Sequence, residues 1–359
     1  MLESWSELKK KLLDDARKGN IPISGQFELT SRCNLKCQMC YVCQPANDKN
    51  IIAQELSAKE WLHIAEEAKQ AGMLYLLLSG GEVFIRKDFQ EIYEELTSMG
   101  FLITIFTNGT LITPKIAQWL GKIPPRSVGI TLYGASAETY GKVTGNEGAF
   151  QKAMAGIEAL TAEGIKIQLK TTVIRDNVND YEKLLAIADE KNILLKFVYY
   201  ISDRRDVHND KLTEIRLSPS EIADYEICSS RDYVKRVKAL RQAEDATEET
   251  ANDSGEAERE FPFKCRAGKS EFWVTWDGRL SACATTDELA VNLRQRNFSD
   301  AWKELVDICK AVPSCEECKN CNLLSYCWTC PTRLKLETGS YEKPADYFCE
   351  WAKYREKNF

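Results

Sequence analysis

Three thiols stand at Cys33-x3-Cys37-x2-Cys40. Thiolates this close on one loop can hold three corners of a cubane iron–sulfur cluster, and a missing fourth ligand leaves one iron open to a small molecule. A zinc loop completed by Cys43 is the alternative, because Cys-x2-Cys also opens zinc knuckles. A second run is Ser79-Gly80-Gly81-Glu82. Its glycines let a ligand approach the backbone, and its carboxylate can hold an ammonium. A third set comes late in the chain: Cys265-x12-Gly278-x4-Cys283, then Cys318-x2-Cys321-x5-Cys327-x2-Cys330, then Cys349. Zinc ribbons also use such Cys-x2-Cys pairs. Cys43 and Cys228 read as a bystander and a buried thiol; Cys309 and Cys315 stay unassigned.

The composition narrows the chemistry. The 359 residues hold 14 Cys and 2 His. So few histidines disfavour a His-based zinc enzyme, and thiolates in number leave Cys-only zinc or iron–sulfur sites. No apolar run nears the roughly 20 residues of a membrane span. The opening MLESWSELKKKLLDDARKGN lacks the apolar centre of a signal peptide. Both point to a cytoplasmic protein with no membrane partner, where thiols bind metal rather than form disulfides. The net charge of −6 resides in 241–260, which carry eight acids and two Arg. The remainder balances, so no basic face for nucleic acid is expected.

These residues need elements to position them. Short apolar runs at 25–30, 73–81, 101–107, 127–133, 165–173 and 193–200 read as strands. Helical patterns follow at 56–72, 87–99, from Thr113-Pro114, at 148–163 and at 179–190. Ser57 with Glu60 forms a capping-box signature, and Gly72 closes that helix. Alternating strands and helices imply a parallel sheet with its site at the C-terminal strand ends. The Cys33 loop and Gly80–Glu82 both follow strands there. The organisation expected is an N-terminal helix (1–20), a partial barrel or open doubly wound sheet (21–215), a helical and acidic linker (216–260) and a Cys-rich domain (261–359) that opens with a hairpin turning at Asp277-Gly278. Period-two alternation puts Lys166, Gln168, Lys170 and Thr172 on one face of the fifth strand. Lys170, and Glu28 on the first strand, are the acid/base or carboxylate-partner candidates; simple hydrogen bonding in the lumen is the plainer reading of both.

Together, Cys33, Cys37, Cys40 and Gly80–Glu82 resemble the radical S-adenosylmethionine (SAM) superfamily. Thr107-Asn108-Gly109 and Thr131-x-Tyr133-Gly134 resemble its strand-end segments. The resemblance implies a partial (β/α)6 TIM-type barrel in an α/β fold. It implies a SAM-binding [4Fe–4S] cluster on Cys33, Cys37 and Cys40. It places the SAM methionine group at Gly80, Gly81 and Glu82, with Asn108 and Thr131 nearby. One electron would cleave SAM to a 5′-deoxyadenosyl radical that takes a substrate hydrogen. Two departures stand out. Met39 replaces a frequent aromatic residue, and Thr131-x-Tyr133 replaces a frequent Ser-x-Asp.

The late cysteines resemble the SPASM domain, with a last spacing of two residues where three is usual. That resemblance implies two auxiliary [4Fe–4S] clusters, one on Cys318, Cys321, Cys327 and Cys349, the other on Cys265, Cys283 and Cys330. The fourth ligand of the second stays open among Cys309, Cys315, a non-Cys group and the substrate. The implied reaction is oxidative modification of a ribosomally made precursor peptide by a thioether or carbon–carbon crosslink. Three alternatives stand beside it: side-chain dehydrogenation like that of sulfatase-maturating enzymes, small-molecule or cofactor biosynthesis, and a non-catalytic iron–sulfur or zinc scaffold. A flavodoxin or ferredoxin would supply electrons. With so little chain before residue 25, a peptide substrate is expected to be gripped by the barrel mouth and the SPASM domain or delivered by a separate leader-binding protein.

Overall fold

The structure, a computed structural model, describes residues 5–205, 212–226, 262–285 and 288–358. Cys228, His208 and the acidic stretch 241–260 lie outside the described residues. An amphipathic helix, α1 (Trp5–Lys18), leads into β1 (Ser24–Glu28). The Cys loop follows, with two-residue strands β2 (Arg32–Cys33) and β3 (Gln44–Pro45) paired to each other. Then come α2 (Lys49–Gln54), α3 (Ala58–Gln70), β4 (Tyr75–Ser79), α4 (Phe89–Ser98), β5 (Leu102–Thr107) and α5 (Pro114–Lys122). The barrel continues with β6 (Ser127–Thr131), α6 (Ala137–Thr144), α7 (Ala149–Ala162), β7 (Ile167–Thr172), α8 (Tyr181–Glu190) and β8 (Leu195–Val198). A short α9 (Leu212–Ile215) precedes a helical segment over 219–226.

Local chemistry sets these boundaries. Ser57 caps α3 with Glu60 in a reciprocal box, which satisfies two otherwise orphaned N–H groups. Thr113 caps α5, whose first residue is Pro114, where the missing N–H costs nothing. The six sequence-expected strands all form, and each is parallel to its neighbour. Their apolar side chains join those of the covering helices in one core that includes Phe27, Trp61, Leu78, Ile92, Ile105 and Ile130.

The C-terminal region extends the same sheet. β9 (Glu271–Val274) and β10 (Arg279–Ser281) form the expected hairpin, with Gly278 at φ +90° in its turn. β11 (Ala290–Asn292) adds a third strand. β9 lies parallel to β1, pairing Gln26 with Trp273. Among the described residues the sheet therefore has nine strands in the order β11-β10-β9-β1-β4-β5-β6-β7-β8. Four helices complete this region: α10 (Phe298–Ala311), α11 (Glu316–Lys319), α12 (Pro331–Thr338) and α13 (Asp346–Asn358). α12 and α13 contribute Leu334, Phe348 and Trp351 to a second core shared with Val173 and Tyr199. No described helix is long and apolar enough to cross a membrane.

Candidate active site

The Cys loop is held from both sides at the C-terminal strand ends. Gly81 N donates to Thr30 O at 2.7 Å, and Glu82 N donates to Arg32 O at 2.9 Å. A Cβ on Gly80 would lie 2.4 Å from Thr30 O, and one on Gly81 would lie 2.3 Å from Arg32 O. The glycine pair thus admits the chain's own Cys loop against β4, where the sequence suggested room for a ligand. Arg32 reinforces the loop base through a bidentate pair with Glu55, at 2.8 and 2.9 Å. On the far side, Lys36 N and Gln38 N donate to Thr144 O and Val143 O of α6. Sequence periodicity had not revealed α6.

Glu82 is the internal fastener of this mouth. It is 1% exposed. Its carboxylate accepts from Thr107 Oγ1 and Asn108 N, both at 2.8 Å, and from Phe84 N at 3.2 Å. Burial raises its pKa above the usual carboxylate range, and these three donors pull it back. A carboxylate offers about four acceptor positions, and three of them are taken by these internal donors. Asn108 in turn directs its side-chain amide at Asn34 Oδ1, 2.9 Å away, and toward Cys33 Sγ at 3.8 Å. The end of β5 therefore senses both Glu82 and the first thiol. Thr131 ends β6 and pairs in register with Lys170.

The loop thiols influence one another. Burial pushes the Cys37 thiol up, and Cys40 and Cys33 add to it. Cys40 is lowered to about 7, first by a hydrogen bond from the Cys43 thiol. Cys43 Sγ lies 3.0 Å from Leu35 O as a donor, and the neighbouring Cys33 and Cys40 push its pKa up. Three thiols on one loop suit a three-thiolate cluster site, with Cys33, Cys37 and Cys40 as the residues that could hold it. Among the described residues, no three His, Cys, Asp or Glu side chains meet closely enough to grip a single metal ion.

The lumen wall carries both acid/base candidates. Glu28 is fully buried. It accepts from Arg205 at 2.5 Å and from Trp273 Nε1 of β9 at 3.1 Å. Burial raises its pKa, with Arg205 opposing. Arg205 N donates to Tyr41 O at 3.2 Å, and its guanidinium stands 5.3 Å from the Tyr41 ring centroid. The loop after β8 is thereby tied to the Cys loop. Lys170 points its ammonium at the Phe106 ring, 3.1 Å from the centroid. Glu28 stands on β1 and Lys170 on β7, with β4, β5 and β6 between them in the sheet.

The late thiols gather in two groups. In one, Cys318 is raised to about 12 by burial and then by Cys315, with Cys327 and Cys349 as further neighbours. Cys321 lies beside Cys327 and Cys349. In the other, burial raises Cys330 to about 11, and Cys265 and Cys283 add to it against Arg333. Cys315 sits with the first group, where its Sγ accepts from Cys318 N at 3.4 Å. Cys309 is buried in α10, and Cys265 is its thiol neighbour. Cys318, Cys321, Cys327 and Cys349 are the thiols that could hold a group at the first place, and Cys265, Cys283 and Cys330 at the second.

Comparison with known proteins agrees with this geometry. Residues 27–188 match the model of the radical SAM superfamily. An AdoMet-dependent heme synthase of Methanosarcina barkeri is 28% identical over 352 residues, 91% of this chain and 96% of that protein. A PqqA peptide cyclase of Ruegeria pomeroyi is 30% identical over 169 residues, 47% of this chain and 44% of that protein. The crystal structure of Streptococcus suis SuiB bound to S-adenosylmethionine superposes with a TM-score of 0.69 at 19% identity, covering 96% of this chain and 82% of that one. The strand-end thiols, the glycine pair and the match over residues 27–188 identify a radical SAM superfamily domain in this chain, and the fold likeness to SuiB extends over the C-terminal region.

Proposed function

We propose that this enzyme modifies a propionate-bearing iron porphyrin on the way to heme. The carrying observation is the extent of the likeness: similarity to a heme synthase runs over 91% of the chain and 96% of that protein. Cys33, Cys37 and Cys40 would hold the SAM-binding cluster. Cys318, Cys321, Cys327 and Cys349 would hold one auxiliary cluster, and Cys265, Cys283 and Cys330 would contribute to the other. When bound, a reduced [4Fe–4S] cluster supplies the electron that splits the SAM sulfonium and so yields a carbon radical. The chain's own residues position and shield. Glu82 fixes the ends of β4 and β5 and would accept from the methionine ammonium. Asn108 orients the first thiol. Thr131 and Lys170 face the substrate side, and Arg205 with Glu28 closes the lumen beneath the Cys loop. A low-potential donor such as flavodoxin or ferredoxin feeds the site.

Heme carries vinyl groups where its propionate-rich precursors carry propionates, so the expected product is a porphyrin with a propionate converted to vinyl; the carboxylate would leave as carbon dioxide, one hydrogen atom would go to 5′-deoxyadenosine, and the remaining electron would pass to an iron–sulfur cluster. The test is anaerobic incubation of the iron-loaded enzyme with SAM, a reductant and iron coproporphyrin III, read by mass spectrometry. Formation of 5′-deoxyadenosine with an unchanged porphyrin sinks the substrate assignment; no 5′-deoxyadenosine under any condition supports a scaffold instead. Peptide modification is the second reading, favoured by the barrel's likeness to a peptide cyclase. It requires a precursor peptide.

A further inference from the structure

We propose that Cys315 and Cys318 serve one corner of the first auxiliary cluster interchangeably, so that this site has five thiols for four irons. The inference rests on the reading of Cys318, Cys321, Cys327 and Cys349 as that cluster's ligands. It brings in Cys315, which the sequence left open as a ligand of the second. Cys315 immediately precedes α11, and Cys318 lies within it. Residues three apart on a helical turn are neighbours. Here Cys318 N donates to Cys315 Sγ at 3.4 Å, and the two thiols hydrogen-bond to each other. Cys327 and Cys349 are the next thiols around Cys318, and Cys321 stands beside both of them.

A hydrogen bond from a following backbone N–H marks Cys315 as a ligand rather than a packing thiol. Such a bond favours sulfur in its charged form, and the thiolate is the form that binds metal. Cys33, in the three-thiol loop, accepts from Leu35 N at 3.4 Å. Cys321 accepts from Leu323 N at 3.4 Å. Cys315 repeats that arrangement at the same distance. Cys309 gives the contrast. It lies inside α10, where the following N–H groups serve the helical ladder, and its thiol neighbour is Cys265 of the other group. Cys315 is also the better sheltered of its pair. It is 4% exposed and belongs to the second core, against which Cys318 and Cys327 pack half-buried. A cubane takes one protein sulfur per iron. Two adjacent thiols therefore compete for a single iron, and either can close the corner when the other is lost.

The test is the iron content and EPR spectrum of the full chain after anaerobic reconstitution. Cys315→Ala and Cys318→Ala should each keep about twelve irons. Their reduced auxiliary sites should give spectra that differ from each other, because a different sulfur closes the corner. The double variant should lose about four irons, as Cys327→Ala alone should. Continued cleavage of SAM to 5′-deoxyadenosine by the double variant shows that it folds. Loss of about four irons by either single variant overturns the proposal. Identical spectra from the two single variants overturn it as well, and they do so even where the double variant fails to fold. If Cys327→Ala loses its irons and the double variant keeps them, the interchange falls and the auxiliary-cluster reading stands. About four irons in the wild type removes both.

Discussion

Trp273 Nε1 donates to Glu28 Oε2 at 3.1 Å, across the seam where β9 joins β1. One hydrogen bond thereby links the C-terminal hairpin to a carboxylate of the barrel lumen. Trp273→Phe keeps the ring volume class and removes the donor. We expect it to cost about 1.5–3 kcal/mol, because the acceptor is a buried charged group. Equilibrium unfolding in urea measures this; a loss below a few tenths of a kcal/mol would mean that Arg205 alone satisfies Glu28.

Gly81→Ala should dislodge the Cys loop. Its Cβ would sit 2.3 Å from Arg32 O, which is backbone and cannot swing aside. We expect a destabilisation of about 2 kcal/mol or more and a loss of iron bound at the first cluster. Normal iron content in Gly81→Ala would show that the loop adapts.

Glu82→Ala strips the acceptor from Thr107, Asn108 and Phe84 together. Leaving such buried donors unpaired costs roughly 1–3 kcal/mol each before relaxation. The variant should unfold at lower denaturant even without SAM, and should bind SAM more weakly. A SAM defect at unchanged stability would assign Glu82 to the ligand alone.

Three [4Fe–4S] clusters correspond to about twelve irons per chain after anaerobic reconstitution. Replacing Cys33, Cys37 and Cys40 together should remove about four irons and all SAM cleavage. About four irons with stoichiometric zinc in the wild type would contradict the auxiliary clusters.

Acid should loosen the helical segment over 219–226. Ser218 N donates to Glu221 Oε2 at 2.7 Å, and Arg175 pairs with Oε1 at 2.9 Å. The hydrogen bond from Ser218 N, then that from its hydroxyl, then Arg175 hold the Glu221 pKa below its ordinary value. A depressed folded pKa contributes stability above the unfolded value of about 4.3 and loses it as pH falls through the folded value. Glu221→Gln should therefore flatten the fall in urea midpoint below about pH 5. Parallel wild-type and variant slopes would remove Glu221 from that account.

Local signals in the sequence translated well into structure. Ser57 with Glu60, Thr113-Pro114 and Asp277-Gly278 each announce a cap or turn through nearest neighbours, and each is found in place. The strand spans were legible because buried parallel strands are continuous apolar runs. The pairing of β9 with β1 was not, since Phe272 and Gly25 are distant in sequence and nothing in EFWV names its partner. Helix α6, whose carbonyls at Val143 and Thr144 hold the Cys loop, was hidden by the mixed polarity of AETYGKVT. For Glu82 the sequence showed a carboxylate beside two glycines. It could not show that Thr107 and Asn108 arrive from the next strand, because that contact exists only once β4 and β5 pair.

The parallel pairing of β1 with β9 has a consequence during synthesis. β1 leaves the ribosome early, but the strand that covers its outer edge begins at Glu271. At roughly 5–20 residues per second, the intervening stretch of about 240 residues keeps that edge open for about 12–50 s. An unpaired edge is a template for foreign strands. The nascent barrel therefore passes through a window in which chaperone supply governs yield, and a chain that stops before residue 271 would never leave it.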